Sequence, residues 1–338
     1  MRIGVVGATG AVGREMIEEL AESSLTNDVK VELFASPRSE GETIAFRSQN
    51  LKVNAYSLEK VKGCDYILMS AGGAFSKEHS PAISSQGSVV IDNSSAFRMD
   101  PKVPLVIPEV NGKILNGFEQ GIIANPNCST IQMLVAVNPL KEKFGLKMIV
   151  VATYQSVSGS GQKGIKELSD QLQNYFKFEN PHHDLYPQPI ASNVLSAIGP
   201  FEHGQNCEEE LKMVNETHKI LDLPGLPVLA TSARVPVFAC HSEAINVQLA
   251  READLDDVKQ AFRSAPGLVF NDSVSQSELP SPFYCTGKKE VYVSRLRSLF
   301  GKPRSEWIQF WNVADNLKKG AATNAVQILE LLLKNKPS

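Results

Sequence analysis

The chain has 338 residues, of which 42% are hydrophobic and 21% charged, with a formal net charge of −3. That length suggests two domains with ample core, and the charge balance leaves no electrostatic footprint for nucleic acid. No apolar run is long enough to span a membrane. The five scattered cysteines, without C-x-x-C spacing, fit neither a disulfide framework nor a zinc site, so a reducing cytoplasm is the expected compartment and no metal is expected.

The N-terminus reads as a strand (Ile3 to Val6) and not as a signal peptide. A helix follows over Val12 to Glu22, then strands over Val29 to Ala35 and Asp65 to Ser70. After a Gly-Gly turn comes a helix from Ala74 to Gln86, and then strands over Ser88 to Asp92 and Gly121 to Ala124. Near-continuous apolar strands alternating with helices predict a parallel, doubly wound sheet. Beyond a helix through Ile131 to Leu140, the pattern changes. Strands are predicted at Lys147 to Tyr154, Val228 to Val237, Glu243 to Leu249, Val291 to Leu296 and Trp307 to Val313. Helices are predicted at Gly164 to Phe176, Glu208 to Leu221 and Leu255 to Ser264. This predicts a mixed, largely antiparallel sheet with helices on one face. The last helix, Asn316 to Leu333, carries an apolar face. The fold class is therefore α/β: an N-terminal Rossmann-type domain, then an α+β domain.

Gly7-Ala8-Thr9-Gly10-Ala11-Val12-Gly13 lies between the first strand and the first helix. Glycines let the backbone approach a pyrophosphate, and the helix N-terminus faces its charge. Gly7, Thr9, Gly10, Ala11, Val12 and Gly13 are the expected cofactor contacts, joined by Ser70 and Gly72 at the turn after the Asp65 strand. An acidic residue ending the second strand would hold the ribose of NAD. Here Ser36, Arg38 and Ser39 stand in that loop, a hydroxyl and guanidinium set suited to the 2′-phosphate of NADP.

Asn125-Pro126-Asn127-Cys128-Ser129-Thr130 places a thiol where a strand ends and a helix begins. The free N–H groups there favour a thiolate and offer an oxyanion hole, so Cys128 is the candidate nucleophile. Gln155 ends the next strand and precedes a polar loop holding Ser158 and Gly159, where a nicotinamide could approach. Arg234 suits a carboxylate, and His241 is the candidate acid/base. Arg98 ends a strand segment as a second arginine. Glu209 and Lys212 lie three apart on one helix face, a spacing also typical of surface ion pairs. His79, His182, His183, His203 and His218 lie in polar or mid-helix settings without a comparable constellation.

These segments, GATGAVG, ASPRS, DNSSAFR, NPNCST, QSVSGSG, the EELK helix and ARVPVFACHSE, resemble aspartate-β-semialdehyde dehydrogenase of the bacterial branch over essentially the whole chain. The resemblance implies Cys128 as nucleophile, His241 as acid/base and Gln155 as orienter of the acyl intermediate. It implies Arg234 for the substrate α-carboxylate, Glu209 for its ammonium, and Arg98, Lys212 and Asn127 for phosphate. Asn312 would be a cofactor contact beside the NADP loop. The implied reaction reduces L-aspartyl 4-phosphate to aspartate semialdehyde and phosphate with NADPH, on the route to lysine, threonine, methionine and diaminopimelate. A homodimer through the second domain is implied, with no membrane or nucleic-acid partner. The C-terminal helix would pack back on the first domain, giving 1–127 with 312–338 and 128–311. The alternatives are N-acetyl-γ-glutamyl-phosphate reductase, whose acylated amine would not need Glu209, and a silent NADP-binding homologue, which would be expected to lack Cys128 or His241.

Overall fold

A computed structural model describes residues 1–202 and 205–335; His203 lies outside the described residues. The chain forms two compact units, Met1–Asn127 with Ala321–Ser338, and Cys128–Gly320.

The first unit is built on seven strands: β1 (Arg2–Val6), β2 (Lys30–Ala35), β3 (Thr43–Phe46), β4 (Gln49–Ala55), β5 (Tyr66–Met69), β6 (Val89–Asp92) and β7 (Gly121–Ala124). Their order is β3-β4-β2-β1-β5-β6-β7, all parallel except the β3/β4 pair. The order reverses direction at β1, whose neighbours are β2 and β5. The crevice at the carboxyl ends of such strands is where a doubly wound sheet takes its ligand. Helix α1 (Ala11–Glu22) follows β1, and buries Met16, Ile17 and Leu20. Three further helices, α2 (Leu58–Val61), α3 (Gly73–Ser85) and α4 (Pro108–Asn111), complete the run before β7. The unit closes with the last helix, α10 (Thr323–Lys334). Its Ala325, Ile328, Leu329 and Leu332 share one core with Ile3, Val5, Met16 and Leu20.

The second unit begins with α5 (Cys128–Phe144) and β8 (Leu146–Gln155). It continues through α6 (Gly161–Phe176), the short pair β9 (Phe201–Glu202) and β10 (Asn206–Cys207), and α7 (Glu208–Leu221). Then come β11 (Val228–Arg234), β12 (His241–Asp254), α8 (Leu255–Ser264), β13 (Leu268–Asn271), α9 (Pro282–Cys285), β14 (Val291–Ser298) and β15 (Arg304–Ala314). Its main sheet is ordered β11-β8-β12-β15-β14-β13. The central pairs are antiparallel, and only the two outer pairs are parallel. Helix α5 is buried on nearly every side and lies against β8, β12, β14 and β15, as an all-round apolar helix must.

Several boundaries differ from those predicted. β11 stops at Arg234, because Pro236 has no N–H to give a ladder. β12 begins two residues early, at His241, and runs on to Asp254 past a register shift after Gln248. The final helix does not start at Asn316: Asp315 Oδ1 caps Leu317 and Lys318 N–H groups at 2.9 and 3.2 Å, and a π-helical turn (Lys318–Ala322) precedes α10. The chain leaves the second unit at Gly320 rather than near residue 312, because Asn312 still pairs with Glu243 inside the sheet.

Candidate active site

Cys128 is the first residue of α5, one residue after Asn127 and the end of the first unit. None of the five cysteines is in a disulfide, and only Cys128 is not fully buried. Burial pushes the thiols of Cys64 and Cys285 up to about 11 and that of Cys240 up to about 12, which makes them inert. Gly320 packs directly on Cys128: a Cβ there would sit 2.8 Å from Cys128 Cβ.

His241 opens β12 and is completely buried. Its Nδ1 accepts the Ser156 backbone N–H at 3.1 Å. The hydroxyls of Ser156 and Ser158 donate to Asn316 Oδ1 at 3.1 and 3.0 Å, and the Cys240 N–H reaches the same oxygen at 3.1 Å. With Nδ1 occupied as an acceptor, the proton of the neutral ring belongs on Nε2, which has no partner among the described residues. Burial, with the Arg234 charge nearby, pushes the imidazole pKa down to about 3. A neutral ring protonated at Nε2 can act there as a hydrogen-bond donor. Accepting a proton at Nε2 would require Nδ1 to release the Ser156 N–H. Cys240, just before it, holds a left-handed φ of 68°, a strained conformation that fixes the corner presenting His241.

Gly159 borders the same space. A Cβ there would lie 2.8 Å from Arg234 Nη1 and 3.4 Å from His241 Nε2, so a larger residue would crowd the guanidinium and the edge of the ring. Arg234 ends β11, is buried, and donates from Nη1 to the Ser156 carbonyl at 2.8 Å. Its register partner across the β8/β11 pair is Gln155. Gln155 Nε2 donates to Glu209 Oε1 at 3.0 Å and to Thr153 Oγ1 at 3.3 Å. Glu209, in the first turn of α7, is buried. Lys212 Nζ lies 2.7 Å from Glu208 and 3.8 Å from Glu209. Within the second unit, then, Gln155, Glu209 and Lys212 form one chain of contacts, and Arg234, Ser156 and His241 another.

In the first unit, Arg98 is 8% exposed, with Nε on the Asn125 carbonyl and Nη2 on the Asn93 carbonyl, both at 2.9 Å. Asn127 is also buried. Asn125 is held in turn by Asn93, Ala321 and Asn324, so the segment before Cys128 is rigidly seated. The glycine-rich turn requires its glycines: Gly7 has φ 85° and a Cβ on it would lie 2.5 Å from the Ser70 carbonyl, while one on Gly13 would lie 2.1 Å from the Gly7 carbonyl. Thr9 Oγ1 meets Ser39 Oγ at 3.4 Å, which joins this turn to the Ser36–Ser39 loop. Gly10 and Gly72 are the N-caps of α1 and α3, without side chains over the helix ends, and Ala11 and Val12 form the first turn of α1. Ser36 and Arg38 are exposed. Such a backbone cradle with an exposed hydroxyl and guanidinium fits a phosphorylated dinucleotide.

Asn312 departs from expectation. It is fully buried, and its Nδ2 donates to the Gln132 carbonyl at 3.0 Å and to Glu243 Oε2 at 3.1 Å. Full burial inside the sheet, with only Nδ2 engaged, does not present it as a cofactor contact. The residues the sequence reading passed over are Ser156 and Asn316, which orient His241. Ser156 had a signal, its place in the polar loop after β8. Asn316 had none, because its partners lie 160, 158 and 76 residues away.

The chain matches the family model for the NAD binding domain of semialdehyde dehydrogenases over residues 2–117 and that for their dimerisation domain over residues 137–319. It is 45% identical to an aspartate-semialdehyde dehydrogenase of Aquifex aeolicus over 98% of both chains. It is 41% identical to that of Bacillus subtilis over 99% of this chain and 98% of the relative. Among solved structures it is similar to aspartate semialdehyde dehydrogenase II of Vibrio cholerae complexed with ASA, at TM-score 0.93 and 40% identity over 98% of both chains.

Proposed function

The chain belongs to the aspartate-semialdehyde dehydrogenase family, and from that premise we propose that it reduces L-aspartyl 4-phosphate reversibly to aspartate semialdehyde and phosphate, using NADPH and a thioacyl intermediate on Cys128. The observation that carries this reading is the pairing, in one unit, of the one accessible thiol at a helix start with a neutral imidazole whose buried Nε2 has no partner among the described residues.

Free N–H groups at the start of α5 favour the Cys128 thiolate. The sulfur attacks the acyl carbon and phosphate leaves, so one difficult displacement is split into two easier steps. The same N–H groups and the Nε2–H of His241 hydrogen-bond the oxygen that carries charge in each tetrahedral state. The nicotinamide, when bound, supplies the hydride. Collapse then breaks the carbon–sulfur bond, which leaves the Cys128 thiolate and frees the aldehyde. Arg234 takes the substrate α-carboxylate and Glu209 the ammonium, with Gln155 fixed between Glu209 and Thr153 to orient the acyl group. Arg98, Lys212 and Asn127 take the phosphate. Gly7, Thr9, Gly10, Ala11, Val12, Gly13, Ser70, Gly72, Ser158 and Gly159 hold the dinucleotide, and Ser36, Arg38 and Ser39 its 2′-phosphate. The second unit carries the homodimer contact, as the dimerisation model suggests; its exposed Tyr154 and Leu229 on the adjacent β8 and β11 supply apolar surface for it. No described helix is long and apolar enough to cross a membrane; cysteines without disulfide spacing suit a reducing cytoplasm as the compartment.

The test is NADPH formation, followed by absorbance, from aspartate semialdehyde, NADP and phosphate. N-acetylglutamate semialdehyde serves as competitor. Turnover of the acetylated substrate in preference would overturn the role given to Glu209.

A further inference from the structure

A buried polar layer lies one step behind the reacting groups. Cys128 and Gln132 are one helical turn apart on α5, and His241 and Glu243 are alternate residues of β12, so each pair shares a face of its element. Gln132, Glu243 and Asn312 are all 0% exposed. Asn312 Nδ2 ties Glu243 Oε2 to the Gln132 carbonyl, and Gln132 Nε2 reaches the His241 carbonyl at 3.4 Å. These contacts join the helix of the nucleophile to the strand of the imidazole. They leave Glu243 Oε1, Gln132 Oε1 and Asn312 Oδ1 buried without partners.

Three buried acceptors left without a hydrogen-bond partner are costly if the carboxyl is charged, even with the Gln132 side chain hydrogen-bonding to it. Among the described residues no cation offsets the charge: opposite Glu243, β8 presents Thr153 and β15 presents Asn312, α5 presents Gln132, and the titratable neighbour on its own strand is the neutral His241. A proton on Oε1 turns one acceptor into the donor that the two amide oxygens lack. Burial acts in the same sense, holding the Glu243 carboxyl well above the usual carboxylate range.

We propose that Glu243 is a positioning residue that stays a neutral acid, donates Oε1–H into the Gln132 and Asn312 amides, and thereby sets the placement of Cys128 relative to His241. This rests on the catalytic reading of that pair. A misplacement of about 1 Å can cost roughly a hundredfold in rate.

The experiment compares Glu243→Gln with Glu243→Ala in the full-length enzyme. The glutamine keeps a neutral donor and an acceptor in the same place; the alanine keeps neither. Glu243→Ala should lower kcat by about 10- to 100-fold, with the KM for NADP within about twofold, and Glu243→Gln should restore kcat to within about threefold of wild type. Equal losses in both variants would mean that the charge is required and would overturn the proposal, as would unchanged kcat in the alanine variant. If Glu243→Ala does not yield folded protein, Gln132→Met takes its place with the same expected loss in kcat, and an unchanged kcat there also overturns it. Infrared difference spectra of wild type against Glu243→Gln at neutral pH read the protonation directly. A protonated-carboxyl C=O band lost in the variant is expected, and loss of carboxylate bands instead would refute neutrality. Inactivity of the wild type on aspartate semialdehyde would count against the functional reading alone, because the infrared result does not depend on turnover.

Discussion

The two units assemble their chemistry in opposite ways. In the first, each cofactor element is local: a strand, a tight turn and a helix start within one stretch of chain, as in β1, Gly7–Gly13 and α1. In the second, the site is made of long-range contacts. Gln155 meets Glu209 across 54 residues, Ser156 meets His241 across 85, and Ser156 meets Asn316 across 160. Local sites can be moved or altered one segment at a time. Long-range sites depend on the sheet that brings their parts together, and a change far from the thiol can disturb it.

The sharpest break of this contrast is at the thiol. Cys128→Ser should leave the fold intact and lower turnover by at least ~10³-fold, since a hydroxyl at its ordinary pKa is a poor substitute for a thiolate. Circular dichroism and steady-state kinetics check both halves, and near-normal turnover would refute covalent catalysis.

His241→Ala should lower kcat by roughly 10²-fold or more while NADP affinity stays unchanged, because the ring belongs to the long-range site and not to the cofactor cradle. It should also change the response to acid. The folded imidazole has a pKa of about 3, below its ordinary 6.5. As pH falls below 6.5 the unfolded chain takes up the proton first, so the wild type loses stability between pH 6.5 and 3. Urea midpoints across that range should fall less steeply in the variant; parallel curves would show that the buried ring carries no such cost.

Arg38→Ala tests the local half. It should weaken NADPH by about one to two powers of ten and leave NADH nearly unchanged, which is the worth of one charge-assisted contact. Equal effects on both cofactors would mean that the guanidinium does not read the 2′-phosphate. The smallest effect belongs to Lys212→Ala, which should raise the KM for phosphate several-fold more than that for aspartate semialdehyde. Its Nζ already has Glu208 at 2.7 Å, so part of its charge is spent on an exposed pair worth a few tenths of a kcal/mol. An unchanged phosphate KM would reduce Lys212 to that pair.

The same contrast decides what was legible. The fingerprint, the Cys128 helix start and the extent of α7 and α8 follow from short-range pattern, and the structure shows them at those positions. β3 and β4 were invisible because only Ile44, Phe46 and Val53 are buried, among residues that are otherwise mostly polar and at least partly exposed. Asn312 was misread because an asparagine near a strand end looks the same from sequence whether it faces a ligand or fastens a helix to a sheet. Glu243 lay in the quoted ARVPVFACHSE segment without a role, because a lone carboxyl in a strand shows neither its burial nor its unpaired neighbours until α5 is laid over it.

The return of α10 to the first unit bears on how the chain is made. Ala325, Ile328, Leu329 and Leu332 fill the core under β1 and α1, yet they are translated after every residue of Cys128–Gly320. Domains commonly fold as units while synthesis proceeds. Here the unit begun first is completed last, so during translation its sheet waits with an open apolar face while the catalytic half is already whole. Until α10 has left the ribosome, the nucleotide cradle keeps an exposed apolar face, where chaperone capture or aggregation would act.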